Sequence, residues 1–180
     1  MTNNKLIICD PGHGGTDPGA TNGGLYEKAA TLAIGKMLRE ELEARGYAVK
    51  MTRDTDKTLT LAERCRISNE AGAALFVSIH CNSASNAEAH GIETFHATTC
   101  SATAKEAAAR VQARMVDATG ARDRGVKSAA YYVLKHTKAP AILVETGFIS
   151  SETEKKKLFK SSYQRALAEA IAAGIADTLG

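Results

Sequence analysis

Short apolar runs alternate along the chain with longer stretches in which apolar residues recur every three or four positions. Lys5-Leu6-Ile7-Ile8-Cys9 is a short apolar run that breaks at Asp10-Pro11-Gly12, the pattern of a buried strand entering a Gly-rich loop that runs through Gly24. From Glu27, the positions Ala30, Ile34, Met37, Leu38 and Leu42 keep a helical period until Gly46 ends it, and Tyr47 to Thr52 reads as the next strand. Thr60 with Glu63 has the spacing of a capping box for a helix to about Ala71, and Leu75-Phe76-Val77-Ser78-Ile79-His80 is apolar enough for a central strand. Gly91 to His96 alternates like a strand with one solvated face, and Ser101 opens an Ala-rich helix to about Thr119. Tyr131 to Leu134 predicts a further strand, and Ala141-Ile142-Leu143-Val144-Glu145 a last apolar one. Ser151 with Glu154, and Ser161 with Gln164, have the spacing of capping boxes for a short helix and a long C-terminal one. Strands alternating with helices predict an α/β fold: a single domain over residues 1–180, with a mostly parallel central sheet of about six strands and helices on both faces.

Length agrees with this, since a second core in 180 residues would leave each half near the lower limit of stable folding. No apolar stretch reaches the ~18 residues of a membrane span, and the apolar run near the start is too short for a secretory h-region. The expectation is a chain made in the cytoplasm without a signal peptide and not inserted in a membrane. Its 23 basic and 20 acidic residues give a net charge of +3, spread along the chain apart from Lys155, Lys156, Lys157 and Lys160. That bias falls short of a nucleic-acid-binding stripe, although it suits approach to a polyanionic surface. The four cysteines, Cys9, Cys65, Cys81 and Cys100, have no C-x-x-C spacing and read as buried reduced thiols.

In open α/β sheets the working site lies outside the carboxyl ends of the strands. His13 follows the first strand, His80 closes the third, Glu145 closes the last, and Glu27 starts the helix that returns from the His13 loop. Each has an ordinary explanation: a loop histidine, a helix-dipole carboxylate, a satisfied core polar group. Glu145 is the hardest to explain that way, because a carboxylate ending a strand of Ala, Ile, Leu and Val is desolvated and needs a cation or a raised pKa. Taken together, two imidazoles and a carboxylate suit zinc and leave one position for water, and a further acidic group nearby can serve as general base. Competing readings fit less well. The Gly12-His13-Gly14-Gly15 loop lacks the Lys-Ser/Thr of a phosphate loop, and no G-x-G-x-x-G opens a helix. Cys81, next to His80 on a strand, points to the opposite face and is poorly placed as a nucleophile. His90, His96 and His136 lack metal-like spacing, and Arg64 and Arg124 read as salt-bridge residues.

The segments Asp10-Pro11-Gly12-His13-Gly14-Gly15, Glu27-Lys28, Ser78-Ile79-His80-Cys81-Asn82 and Pro140 to Ser150 together resemble the zinc-dependent N-acetylmuramoyl-L-alanine amidases of the amidase type 3 family. The resemblance runs from Lys5 to Leu179 in the family's order and spacing. It implies hydrolysis of the amide between N-acetylmuramic acid and L-alanine in peptidoglycan, with zinc held by His13, Glu27 and His80, Glu145 as the catalytic carboxylate, and Asn82 orienting a ligand or the substrate. The sequence departs from the family at Thr31, where an asparagine is common. The interval between His80 and Glu145 is already filled by predicted elements, which leaves no room for an inhibitory helical insert and implies an open cleft. The expected protein is a monomer acting on peptidoglycan and not on nucleic acid. It would be an excised catalytic domain, an endolysin reaching the wall after lysis or through a holin, or an enzyme of spore mother-cell lysis. Two alternatives remain open on sequence: a zinc peptidase cutting within the stem peptide, and a wall-binding domain without catalysis.

Overall fold

The computed structural model describes residues 3–180. Strand β1 (Asn3–Pro11) lies between β4 (Tyr47–Met51) and β5 (Leu75–Asn82), and β5 pairs on its other side with β8 (Ala141–Phe148), all parallel. Beyond β8 lies β6 (Ile92–Ala97), antiparallel to it, and then β7 (Asp123–Ala129), parallel to β6. The sheet order is therefore β4-β1-β5-β8-β6-β7, six strands and mostly parallel as expected. A two-stranded hairpin, β2 (Thr21–Asn22) with β3 (Leu25–Tyr26), sits within the Gly-rich loop.

Alternate residues of each strand feed two separate cores. Ile7, Cys9, Val77, Ile79, Ile142 and Val144 pack against α1 (Glu27–Ala44), α3 (Ala102–Thr119) and α6 (Ser161–Leu179). Ile8, Phe76, Phe95 and Leu143 face the other way, onto Cys65 of α2 (Leu61–Ala71) and onto Val133 and Leu134 of α4 (Tyr132–His136). Helices cover both faces, and α2 and α4 leave between them a cleft that reaches His13, His80 and Glu145. A last short helix, α5 (Glu152–Leu158), connects β8 to α6.

Five expectations change. Tyr131–Leu134 is not a strand: Val133 and Leu134 dock as a helical turn, while the strand is the polar segment Asp123–Ala129. A mostly exposed edge strand carries no apolar run to betray it, and Tyr-Tyr-Val-Leu has β propensity that tertiary docking overrides. Strand β6 is covered on both faces, because the carboxylate of Glu93 is buried in ion pairs with Arg124 and Lys127. The box at Thr60 and Glu63 forms, but α6 is capped by Lys160 without a side-chain bond, and Gln164 donates instead to the Leu158 carbonyl at 2.7 Å. Ser151 accepts from the Glu154 amide, but the Glu154 carboxylate accepts from the amides of Gly91 and Phe148 rather than closing a box. All four cysteines are free; Cys9, Cys65 and Cys81 are buried, whereas Cys100 is half-buried. Among the described residues no helix is long and apolar enough to cross a membrane.

Candidate metal centre

Two buried arginines organise the end of β1. Arg64, on α2, pairs with Asp10 at 2.8 Å and donates to the carbonyls of Pro11 and His13, each at 2.7 Å. Asp10 also accepts from Thr52 and Ser78, each at 2.7 Å. Arg53, 1% exposed, donates to the carbonyls of Pro11 at 3.0 Å, Gly12 at 2.8 Å and Lys28 at 2.9 Å. Thr31 completes this cradle by donating to the Gly12 carbonyl at 2.8 Å, so the threonine that departs from the family pattern still braces the loop. Guanidinium forks suit such convergent carbonyls, which a point-like ammonium cannot span. Clamped in this way, His13 adopts φ 61°, a conformation rare for a residue with a Cβ.

Three donors meet at this point. The carboxylate of Glu27, at the first turn of α1, lies 3.1 Å from Nε2 of His13 through one oxygen and 3.1 Å from Nδ1 of His80 through the other. One ligand atom from each of His13, Glu27 and His80 falls within 4.8 Å of the others, a grouping that can hold a metal ion. Backbone amides aim the carboxylate: Ala20 donates to Oε2 and Cys81 to Oε1, each at 2.9 Å. On the far side of His13, Nδ1 meets Asp17 at 2.8 Å, and Asp17 is itself held by the Gly19 amide at 3.1 Å. A proton kept on Nδ1 and directed at Asp17 would let Nε2 give its lone pair to a metal in place of the proton it otherwise directs at Glu27.

Electrostatics separate the two key glutamates. Burial pushes the Glu27 carboxyl up, but hydrogen bonds to His13 and His80 outweigh it and hold the group ionised well below the usual carboxylate range. Burial works against a charged His13 as well, and the adjoining Glu27 and Asp17 carboxylates overcome it, so its pKa is raised. Glu145 is the opposite case: burial, with the charges of Glu27 and Glu93 added, drives its carboxyl well above the usual range. Its Cα pairs with that of His80 across β5 and β8, and its Oε2 is shielded without a hydrogen-bond partner. A buried carboxylate oxygen left without a donor beside two imidazoles and a second carboxylate fits a place made for a cation and a water.

Close approach explains two glycines. A Cβ on Gly12 would fall 2.4 Å from Cε1 of the His80 ring, and one on Gly19 would fall 2.6 Å from Oε2 of Glu27. Gly12→Ala is therefore expected to displace His80 and weaken metal binding at least ~10-fold, as for a lost supporting contact. Zinc titration of the folded variant checks this, and unchanged affinity would mean that the ring can move at no expense.

His13, Glu27 and His80 meet in one group, and Glu145 lines the same cavity as the two histidines. Cys81 faces away, packed with Ala30, Ile149 and Leu158. Asn82 does not turn toward the donors; its amide donates to Glu93 at 2.6 Å. His136 stacks on Tyr132 and His90 bonds the Glu88 carbonyl, so neither joins the cluster. Arg64 and Arg124 are ion-paired as expected, to Asp10 and Glu93. Sequence reasoning missed Arg53 and Asp17. A buried charge directly after β4, at the carboxyl end of the sheet, was the available signal for the first. For the second it was a carboxylate four residues after His13 in the same loop.

The profile of the N-acetylmuramoyl-L-alanine amidase family (Amidase_3) matches residues 7–177. The N-acetylmuramoyl-L-alanine amidase LytC of Bacillus subtilis is 40% identical over 168 residues, which is 93% of this chain and 34% of LytC. The endolysin of Bacillus phage SPP1 is 39% identical over 183 residues, covering 97% of this chain and 66% of the phage protein. The chain thus spans about a third of one relative and about two thirds of the other. Among solved structures, an N-acetylmuramoyl-L-alanine amidase from Clostridium difficile 630 superposes with a TM-score of 0.95 at 35% identity, over 99% of this chain and 100% of that one. AmiC2 of Nostoc punctiforme gives 0.93 at 36% identity over 99% of both. With the profile covering nearly its whole length, the chain belongs to the N-acetylmuramoyl-L-alanine amidase family.

Proposed function

We propose that this chain hydrolyses the amide between the lactyl group of N-acetylmuramic acid and L-alanine in peptidoglycan, with zinc held by His13, Glu27 and His80 and with Glu145 moving the proton. The observation that carries the reading is the convergence of three ligand atoms within 4.8 Å of one another beside the unpartnered Oε2 of Glu145. Two imidazole nitrogens and a carboxylate match zinc's preference for N and O donors. When bound there, zinc supplies Lewis acidity that polarises the scissile carbonyl and lowers the pKa of water toward ~7.

The chain's own groups do the remaining work. Asp17 fixes the His13 ring with Nε2 forward, and the Ala20 and Cys81 amides fix Glu27. Glu145, which burial and the neighbouring carboxylates hold toward the protonated form, would ionise once a cation were held by His13, Glu27 and His80, and could then accept a proton from the attacking water. Water oxygen bonds to the carbonyl carbon, the C–N bond breaks, and Glu145 returns the proton to the departing nitrogen. The products are a muramic acid carboxylate and a free L-alanine amine.

Digestion of purified cell walls, followed by mass spectrometry, tests the reading. A new amino-terminal L-alanine that depends on zinc and stops on chelation is expected. A cut within the stem peptide would make the chain a peptidase, and binding without any cut would make it a wall-binding domain.

Metal binding is also expected to fall with pH. A second proton on His13, at Nε2, excludes the metal, and the pKa for that step lies above the ordinary ~6.5, so competition sets in at higher pH than for a free imidazole. Zinc titration from pH 8 to 6 should show affinity already declining near neutrality. A flat profile would contradict the coupling of His13 to Glu27 and Asp17.

A further inference from the structure

We propose that the cleft carries a subsite for a hexosamine ring, built from Leu59, Leu61, Tyr131 and Tyr132, which seats the glycan side of the scissile amide. The inference rests on the amidase reading of the same cleft and deepens it. Among the described residues, the half-exposed large apolar side chains are Tyr26, Leu61, Val126, Tyr131 and Tyr132. Three of these five line one cavity of about 420 Å³ that also contains His13, His80 and Glu145. Scattered apolar side chains need no explanation, but convergence on a cleft beside polar chemistry marks a binding surface.

The wall has two sides. Leu59 and Leu61 flank Thr60, the N-cap of α2, and Tyr131 and Tyr132 are the N-cap and first residue of α4. Both tyrosines are already seated. Tyr131 packs edge-on against Phe95 with ring centroids 5.2 Å apart, and Tyr132 lies against His136 at 4.1 Å. Prior seating lowers the entropy lost when a ligand is held.

Charge decides which half of the substrate fits. Arg64 is the one Lys or Arg among the residues lining this cavity, and it is 3% exposed and paired with Asp10. Arg124 and Lys127 are engaged with Glu93 and lie outside the lining. The wall therefore has no free cation for the carboxylates of a stem peptide, and leaving one unpaired against it is unfavourable. A pyranose ring, in contrast, offers apolar C–H faces to aromatic rings, with its hydroxyl and acetamido groups at the edge within reach of tyrosine hydroxyls.

The test compares two substrates that share the scissile amide and the stem: a muropeptide with its sugar, and the corresponding lactoyl-peptide without it. Wild-type protein with zinc should favour the muropeptide in kcat/KM. Tyr132→Ala and Leu61→Ser should each lower that preference about tenfold, mainly through KM. Tyr131→Ala also removes packing on Phe95, so Leu61→Ser, at the half-exposed start of α2, is the variant that keeps the fold. Because the chain has no tryptophan, tyrosine emission can follow titration with the N-acetylglucosaminyl-N-acetylmuramic acid disaccharide alone. A saturable change that is lost in Tyr132→Ala is expected. Equal use of both substrates by the wild type, or no saccharide binding, would overturn the subsite. If neither substrate is cut, the amidase reading fails, and saccharide binding then decides the subsite independently.

Discussion

Glu145→Gln is expected to keep its zinc and lose hydrolysis by ~10²–10⁴-fold, the usual loss when a general base is removed. The substitution is isosteric, and Glu145 stands outside the His13, Glu27 and His80 group, so the donors keep their positions. What disappears is an oxygen able to take and return a proton. Glu27→Gln should behave differently. Each Glu27 oxygen already accepts from a backbone amide, Ala20 on one and Cys81 on the other, and each faces an imidazole. An amide NH₂ must turn toward one of those N–H groups, and the negative charge that attracts the cation is gone. Zinc affinity should drop, and added zinc should restore part of the activity. Zinc content and muropeptide hydrolysis, measured for both variants with and without added metal, give a crossed result: excess zinc rescues Glu27→Gln and leaves Glu145→Gln inactive. An active Glu145→Gln protein would remove the proposed mechanism.

The donors could be read from sequence because each sits where a strong pattern stops. β5 and β8 are apolar runs that end in a single chemically capable residue, His80 or Glu145, and Glu27 opens a clearly periodic helix. Parallel order then carries those ends to one edge of the sheet. The supporting contacts were harder to see. Arg53 and Arg64 act on carbonyls about forty to fifty residues away in sequence, and no periodicity encodes a carbonyl's direction. Asp17 lies in a loop whose path depends on positive-φ glycines and on His13 itself. Tyr131 and Tyr132 misled for a related reason. In a strand their rings would be ordinary β-formers, and only docking of the turn against α2 and β6 turns them toward the cleft. Polar alternation in β6 likewise suggested solvent, whereas Glu93 is 4% exposed because Arg124 and Lys127 neutralise it.

Arg64→Met is expected to be the most destabilising single change near the site, by about 3–5 kcal/mol, as for other buried pairs that lose one partner. Arg64 and Asp10 are 3% and 1% exposed, so removing the guanidinium leaves a carboxylate with only the hydroxyls of Thr52 and Ser78 in a region water does not reach. In a domain of this size that loss corresponds to a fall in Tm of roughly 6–20 °C. Arg64→Lys separates the two duties of the side chain. An ammonium can still face Asp10 and recover part of the stability, but it cannot also hold the carbonyls of Pro11 and His13, which the guanidinium reaches with different nitrogens. Without the His13 carbonyl anchored, the φ 61° conformation loses a restraint that opposes its strain, and the ring drifts from Glu27. Arg64→Lys should therefore show a modest change in Tm with a clear loss of zinc affinity, measured by thermal unfolding of the metal-free protein and by zinc titration. Equal and proportionate losses in both would mean that Arg64 serves the core alone, and that His13 is held in place by Arg53, Thr31 and Asp17 without it.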